Sequence, residues 1–196
     1  MKKNITDIYT YTIDDNDYIL HVNNDKWDEF YKDNSIDDTC ISKGISKKSL
    51  WDFIDDFETR HLYENILENV RKYKRQVTLP FRCDSPRQRR FLNLTIKPLE
   101  NNHVEFISKI EKVENRDYVK LMDNNREFSE EFLTVCSMCK KVKIEEFLWE
   151  EVETAVSILK LFEKDKLPML THGLCPYCKR LYLEEAEKFI ASMNKS

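Results

Sequence analysis

The chain has 196 residues, is 41% hydrophobic and 35% charged and carries a net charge of −4, which fits a globular protein of one or two domains and speaks against wholesale nucleic-acid binding. Its glycines are Gly44 and Gly173 alone, which excludes phosphate-binding loops, dinucleotide fingerprints and glycine-rich kinase lids, since each needs several glycines close together. No run approaches the roughly 18 apolar residues of a membrane helix, and Met1 to Asp7 turn polar where a secretory signal needs an apolar stretch, so the expected location is the cytosol.

In chain order, Tyr9, Tyr11 and Ile13 alternate with polar residues. Tyr18, Leu20 and Val22 alternate with Ile19 and His21 beyond the turn-forming Asp14-Asp15-Asn16-Asp17. This pattern predicts a β-hairpin with one apolar face. Asn23-Asn24-Asp25 offers helix caps ahead of Trp27, Phe30 and Tyr31, which fall at helical spacing. A polar loop runs from Lys32 to Lys48, and Leu50, Trp51, Phe53, Ile54 and Phe57 form an apolar cluster. Leu62, Tyr63, Ile66, Leu67, Val70 and Tyr73 recur at helical spacing, with Lys72, Lys74 and Arg75 suiting the C-terminal end of the dipole. Three strand patterns follow: Val77-Leu79-Phe81, Leu92-Leu94-Ile96 and Val104-Phe106, the last preceded by a turn at Glu100 to His103. The order β-β-α-α-β-β-β predicts an α+β domain over residues 1–114, with helices on one face of its sheet.

From Val113 to Glu131 the chain is charged, with Tyr118, Leu121 and Met122 as isolated apolar points, and residues 115–131 are expected to be a helical linker. Residues 132–196 carry Cys136-Ser-Met-Cys139 and Cys175-Pro-Tyr-Cys178. Two residues between cysteines let one tight turn aim both sulfurs at a point. Two such turns can complete the tetrahedron of thiolates that Zn²⁺ takes. The stretch between the pairs is longer than the common ribbon spacing of about 15–20 residues. Structural disulfides and a redox dithiol are the competing readings; the dithiol wants a βαβ setting, which the sequence does not reveal. Phe147-Leu148-Trp149 reads as a strand. Val152, Ala155, Val156, Leu159 and Phe162 mark an amphipathic helix, broken by Lys164 to Pro168. Lys179 to Met193 is helix-forming, with Leu183, Ala186 and Ile190 on one face. The second pair therefore sits at a helix start, where thiolate charge is favoured.

The order of elements resembles the PAS fold, a five-stranded antiparallel sheet with helices inserted between its second and third strands. Gly44-Ile45-Ser46-Lys47-Lys48-Ser49-Leu50-Trp51-Asp52-Phe53-Ile54 resembles a stretch of bacterial PAS domains. Phe81-Arg82-Cys83-Asp84-Ser85-Pro86 with Arg89-Arg90 resembles a segment of bacterial PAS proteins that carry a cysteine module behind them. Val135 to Cys139 and Thr171-His172-Gly173-Leu174-Cys175-Pro176-Tyr177-Cys178 resemble that module, and the knuckle followed by a helix-borne pair is the plan of treble-clef zinc modules. The resemblance covers most of the chain. It implies a sensory theme, a PAS-like domain over 1–114 and a zinc-stapled α/β module over 132–196, without an assigned activity.

Several residues have both a sharp and a plain reading. His172 is close enough in sequence to Cys175 to ligate or to orient a ligand, and with four thiolates available the orienting role is the expected one. His61 invites heme ligation, but at 3.6 residues per turn it points away from the apolar face of its helix. Arg82, Arg87, Arg89 and Arg90 cluster near a strand turn, where they could meet phosphate or an acidic partner, or else form a solvated strand end balanced by nearby Asp and Glu. Trp27, Trp51 and Phe53 either line a ligand cavity or fill the core. Cys40 and Cys83 read as plain packing or loop thiols.

The expected protein is a non-enzymatic cytosolic sensory or adaptor protein. Its PAS-like domain perceives an unidentified ligand or partner, and Cys136, Cys139, Cys175 and Cys178 hold a structural Zn²⁺. Protein partners in a signalling pathway, and a homodimer, are expected. One alternative is a nucleic-acid-binding regulator using Lys140, Lys141, Lys143, Lys179 and Arg180, disfavoured by the net charge. Another is a redox switch in which thiol oxidation ejects zinc.

Overall fold

The computed structural model describes residues 7–23, 45–123 and 125–191, with side chains as far as Glu184. The expected helix around Trp27, Phe30 and Tyr31, and Cys40, lie outside the described residues. The fold is mixed α+β with two sheets, one of five strands in the order β2-β1-β5-β4-β3 and one of four in the order β8-β7-β6-β9.

The first sheet is antiparallel throughout, with β1 (Ile8–Ile13), β2 (Ile19–Val22), β3 (Val77–Arg82), β4 (Gln88–Pro98) and β5 (Val104–Asn115). Its inner face is the alternating apolar set read from the sequence: Ile13, Leu79, Leu94, Ile96, Val104 and Phe106 are all buried. Tyr11 stacks on Phe106 at 4.5 Å, filling the space under the helix with aromatic rings. The outer face is polar, with a Thr78–Thr95 hydroxyl bond and the pairs Lys97–Glu105 and Lys109–Glu111, as expected of a sheet with one wet side.

Strand β2 departs from its alternation. Ile19 and Val22 are buried, whereas Tyr18 and Leu20 are about half exposed. The register with β1 shifts between Thr12 and Ile13, so that Leu20 is passed over as a bulge. One extra residue reverses the faces on either side of it.

Helix α1 (Phe57–Tyr73) begins at Asp56, whose carboxylate accepts from the Thr59 amide at 2.8 Å, and ends at Lys74 in the left-handed conformation. It buries Leu62, Ile66, Leu67 and Val70 on the sheet. Its Arg71 donates to Asp14 O, Asp17 Oδ1 and Asn102 O, tying the β1–β2 and β4–β5 turns to the helix.

The described residues of 115–131 do not form the expected helical linker. They hold a 3-10 turn at Lys120–Met122 and the start of β6 (Phe128–Cys136). Val119 and Leu121 are the residues that turn inward, and Tyr118 stays about half exposed. The apolar residues are bunched at Tyr118, Val119, Leu121 and Met122, and the charged stretch on either side gives a helix no continuous face to bury.

The second sheet also contains β7 (Val142–Lys143), β8 (Trp149–Glu150) and β9 (Leu167–Gly173). Between β8 and β9, α2 (Val152–Ile158) is shorter than its periodicity suggests. Lys160 adopts the left-handed conformation, so Leu161 turns inward and Phe162 outward. β9 pairs parallel to β6, with Cys136 opposite Gly173, and runs into α3 (Pro176–Ala191). A β-α-β unit, β6-α2-β9, therefore does carry the cysteine pairs, the first at the end of its first strand and the second just beyond its last. Val119, Leu121, Val135, Val142, Val152 and Leu161 make a small core beneath α2.

Candidate metal centre

The two cysteine pairs meet because both lie at the ends of adjacent parallel strands. β6 delivers Cys136, and the chain then turns through Ser137, Met138 and Cys139 into β7. Lys140 takes a positive φ of 61° there, and its amide bonds Cys136 O at 3.0 Å. β9 delivers Cys175 beside this knuckle, and Cys178 follows in the first turn of α3. The four sulfurs lie within 4.8 Å of one another. Cys139 Sγ and Cys175 Sγ are 3.7 Å apart, against about 2.05 Å for a disulfide and about 3.8 Å for two corners of a zinc tetrahedron with 2.3 Å bonds. All four are free thiols. The donor set could hold a metal ion, and its softness and spacing fit a thiophilic one.

Two backbone amides point the positive ends of their dipoles at sulfurs of the cluster. The Cys175 amide donates to Cys136 Sγ and the Cys178 amide to Cys175 Sγ, each at 3.4 Å. Cys136 is held far below the ordinary thiol range by hydrogen bonds from Cys139, Cys175 and Cys178 to its sulfur. The same hydrogen bonds push Cys139 and Cys178 up, so the cluster favours the thiolate form, which a metal ligand requires, at Cys136. Cys136, Cys175 and Cys178 are buried and Cys139 only partly so. That burial suits a closed structural site, whereas a redox dithiol needs an accessible nucleophile.

The other candidate residues fall elsewhere. His172 is exposed on β9, is not part of the sulfur cluster, and has its pKa lowered by desolvation and by Lys140. His61 is exposed, stacks on Phe57 and contacts Asn65 at 3.1 Å, a solvated setting. Cys83 is half-buried, with its thiol pKa raised by burial, and also lies apart from the cluster. Trp27 lies outside the described residues. Trp51 is half-buried, donates Nε1–H to Asp17 at 2.9 Å, and carries Arg60 over its ring. It lines a surface cleft of about 500 Å³ with Glu64, Glu68, Arg71 and Lys72, most of whose lining residues are charged. Phe53 is 50% exposed and is not among the residues lining this cleft, so it belongs neither to that cleft nor to the core. Its short 3-10 helix (Leu50–Phe53) turns only Leu50 inward.

The arginine cluster finds its carboxylates within the chain. Arg82 pairs with Asp84 at 2.6 Å and with Glu151 at 2.8 Å. Arg116 reaches Asp84 and Glu153 at 3.3 Å each, and Arg89 reaches Glu153 at 2.6 Å. Burial by itself would lower the Arg82 pKa, and the two carboxylates more than reverse that. Arg87 instead lies over Tyr118, and buried Arg90 donates to Gln88. This row of alternating charges joins the β3–β4 end of the first sheet to the start of α2. Asp84 is a nearby carboxylate of the kind the sequence led one to expect, whereas Glu151 and Glu153 lie some sixty residues further on, and Arg116 lies outside the cluster read from the sequence.

No protein-family model matches this chain, and no curated protein matches it.

Proposed function

We propose that this is a PAS-like sensory or adaptor protein without catalytic activity of its own, working in the cytoplasm, with a structural Zn²⁺ held by Cys136, Cys139, Cys175 and Cys178. The observation that carries the metal reading is the convergence of four unbonded sulfurs within 4.8 Å of one another, with those of Cys139 and Cys175 3.7 Å apart, close to the edge of a zinc tetrahedron. The insertion of α1 between β2 and β3, and the sheet order 2-1-5-4-3, support the PAS-like reading. A knuckle followed by a cysteine pair on a helix start supports a treble-clef plan for residues 132–196. Zinc would supply the cohesion that a small core cannot.

The nucleic-acid reading is less well supported. Lys179 is paired with Glu58, Arg180 with Glu184, and Lys140 Nζ bonds Ser137 O, which leaves few of the proposed cations for phosphates. Metal analysis of freshly purified, reduced protein tests the proposal and should return one zinc per chain. Protein with no metal, and none taken up on titration, overturns it.

A further inference from the structure

The cysteine turns bond to the first sheet's domain through residues close in sequence to the cysteines. The Arg82 amide donates to Met138 O at 2.7 Å, and Met138 lies between Cys136 and Cys139. Its neighbour Ser137 bonds Asp56, the cap of α1, at 3.1 Å. Glu58 in the first turn of α1 accepts from the Leu174 amide, next to Cys175, and from Lys179, next to Cys178. One turn further along α3, Tyr182 is 1% exposed and its hydroxyl donates to Pro80 O. Met138, Leu174, Cys175, Cys178 and Tyr182 share one continuous apolar cluster with Leu79, Leu94 and Phe106.

These contacts converge on one feature. β3 is an outer strand of the five-stranded sheet, and an outer strand leaves a row of backbone groups unpaired. Pro80 fills one of those positions without an N–H to offer, as edge prolines do, and its carbonyl is taken by Tyr182. The next outward amide, that of Arg82, is taken by the cysteine knuckle. The cysteine module is thus the cover of the β3 edge.

We propose that the four-cysteine centre is a latch: with metal bound, its turns hold the β3 edge and the N-terminus of α1, and loss of metal releases both while β1, β4 and β5 stay paired. This rests on the metal reading above. It supplies a route by which the state of the centre reaches a partner, because an uncovered β3 offers the open backbone row that an extended peptide pairs with.

Amide exchange on the full chain tests the latch, with zinc content measured on every sample and reductant present throughout. Removal of zinc with EDTA should speed exchange of the Arg82 amide at least tenfold, while amides of the β4–β5 ladder change less than twofold. Verified zinc loss with an unmoved Arg82 amide overturns the latch alone. Equal loosening of the β4–β5 ladder overturns it too, since the metal then holds the whole fold rather than one edge. A chain that neither holds nor takes up zinc overturns the metal reading and the latch together. Tyr182→Phe keeps all four cysteines and the ring. It should retain zinc and still exchange Arg82 several-fold faster, and a wild-type rate in that variant counts against the latch.

Discussion

Beneath its helix the five-stranded sheet buries an apolar field that runs from Ile13 and Val104 across Phe106 to Ile96, Leu94 and Leu79. The four-stranded sheet buries a smaller set, mostly valines and leucines around Val135 and Val142, and its cysteine end lies outside that set altogether. That end belongs instead to the larger core: Cys136, Met138, Cys175, Cys178 and Tyr182 pack with the residues of the first sheet. A small sheet with a short helix cannot bury enough apolar surface to be stable alone, and the sulfur centre and the shared core are the two means by which it compensates. The halves are therefore unequal: one is built on side-chain packing, the other on ligation and on its neighbour.

The largest expected effect breaks that asymmetry at the sulfurs. Cys175→Ser removes a ligand and perturbs the shared core in one change. Metal binding and folding form one equilibrium at such sites, so a loss on the order of 5 kcal/mol is expected, with zinc absent from the purified protein. The loss should fall on the four-stranded sheet, the β3 edge and the N-terminus of α1, while the β1–β5–β4 ladder keeps its denaturant midpoint. A β1–β5–β4 transition that moved by as much would mean that the centre holds the whole fold rather than one edge of it.

Arg82→Ala attacks the other link between them. Asp84 would be left buried and short of its closest cation, since its side chain is 0% exposed beside Arg82. Breaking a buried pair in this way costs about 3–5 kcal/mol. Urea denaturation measures it, and a cost below about 1 kcal/mol would place the row of charges among ordinary surface pairs.

The two halves also differ in how much of them could be read in advance. Alternation at Leu92, Leu94 and Ile96, and helical spacing from Leu62 to Val70, specify the first sheet and α1 directly, because packing on one face imposes those periods. Leu20 is the exception, since a bulge depends on how two strands register and leaves no mark in one strand's own pattern. In the second half the cysteine spacing pointed to the sulfur centre, yet neither parallel strand was legible. Phe128 to Cys136 carries Glu130 and Glu131 within it, and Pro168 near the start of β9 reads as a breaker when it sits at the edge of a small sheet. Glu151 and Glu153 were hidden for another reason. Charge pairs between distant segments are set by topology, which no local window contains.

Trp51→Ala sharpens the contrast within the larger half. A core tryptophan would cost about 3–5 kcal/mol. Trp51 is only half-buried and holds one hydrogen bond to Asp17, so about 1–2 kcal/mol is expected, the scale of a single bond with part of a ring's burial. A cost above about 3 kcal/mol would return Trp51 to the core, and thermal unfolding reads the difference.

Glu153→Gln gives the smallest effect and tests whether charge, rather than shape, joins the halves. Burial raises the Glu153 pKa, but its own backbone amide, Arg89 and Arg116 outweigh that and hold it below the ordinary carboxylate value. A carboxyl whose folded pKa is lowered contributes its stability above the unfolded value of about 4.3, and loses it as the pH falls through the lower folded value. The side chain is 36% exposed, so solvent screening limits the contribution to about 0.5 kcal/mol. The stability difference between wild type and Glu153→Gln should therefore be constant from pH 7 to about 5 and shrink toward zero below about 4. It should also shrink as salt is raised, because a partly exposed pair is screened. A difference that persists unchanged at pH 3 would show that Glu153 acts through its shape and backbone contacts, and the join between the halves would then rest on the buried Arg82–Asp84 pair and the shared core.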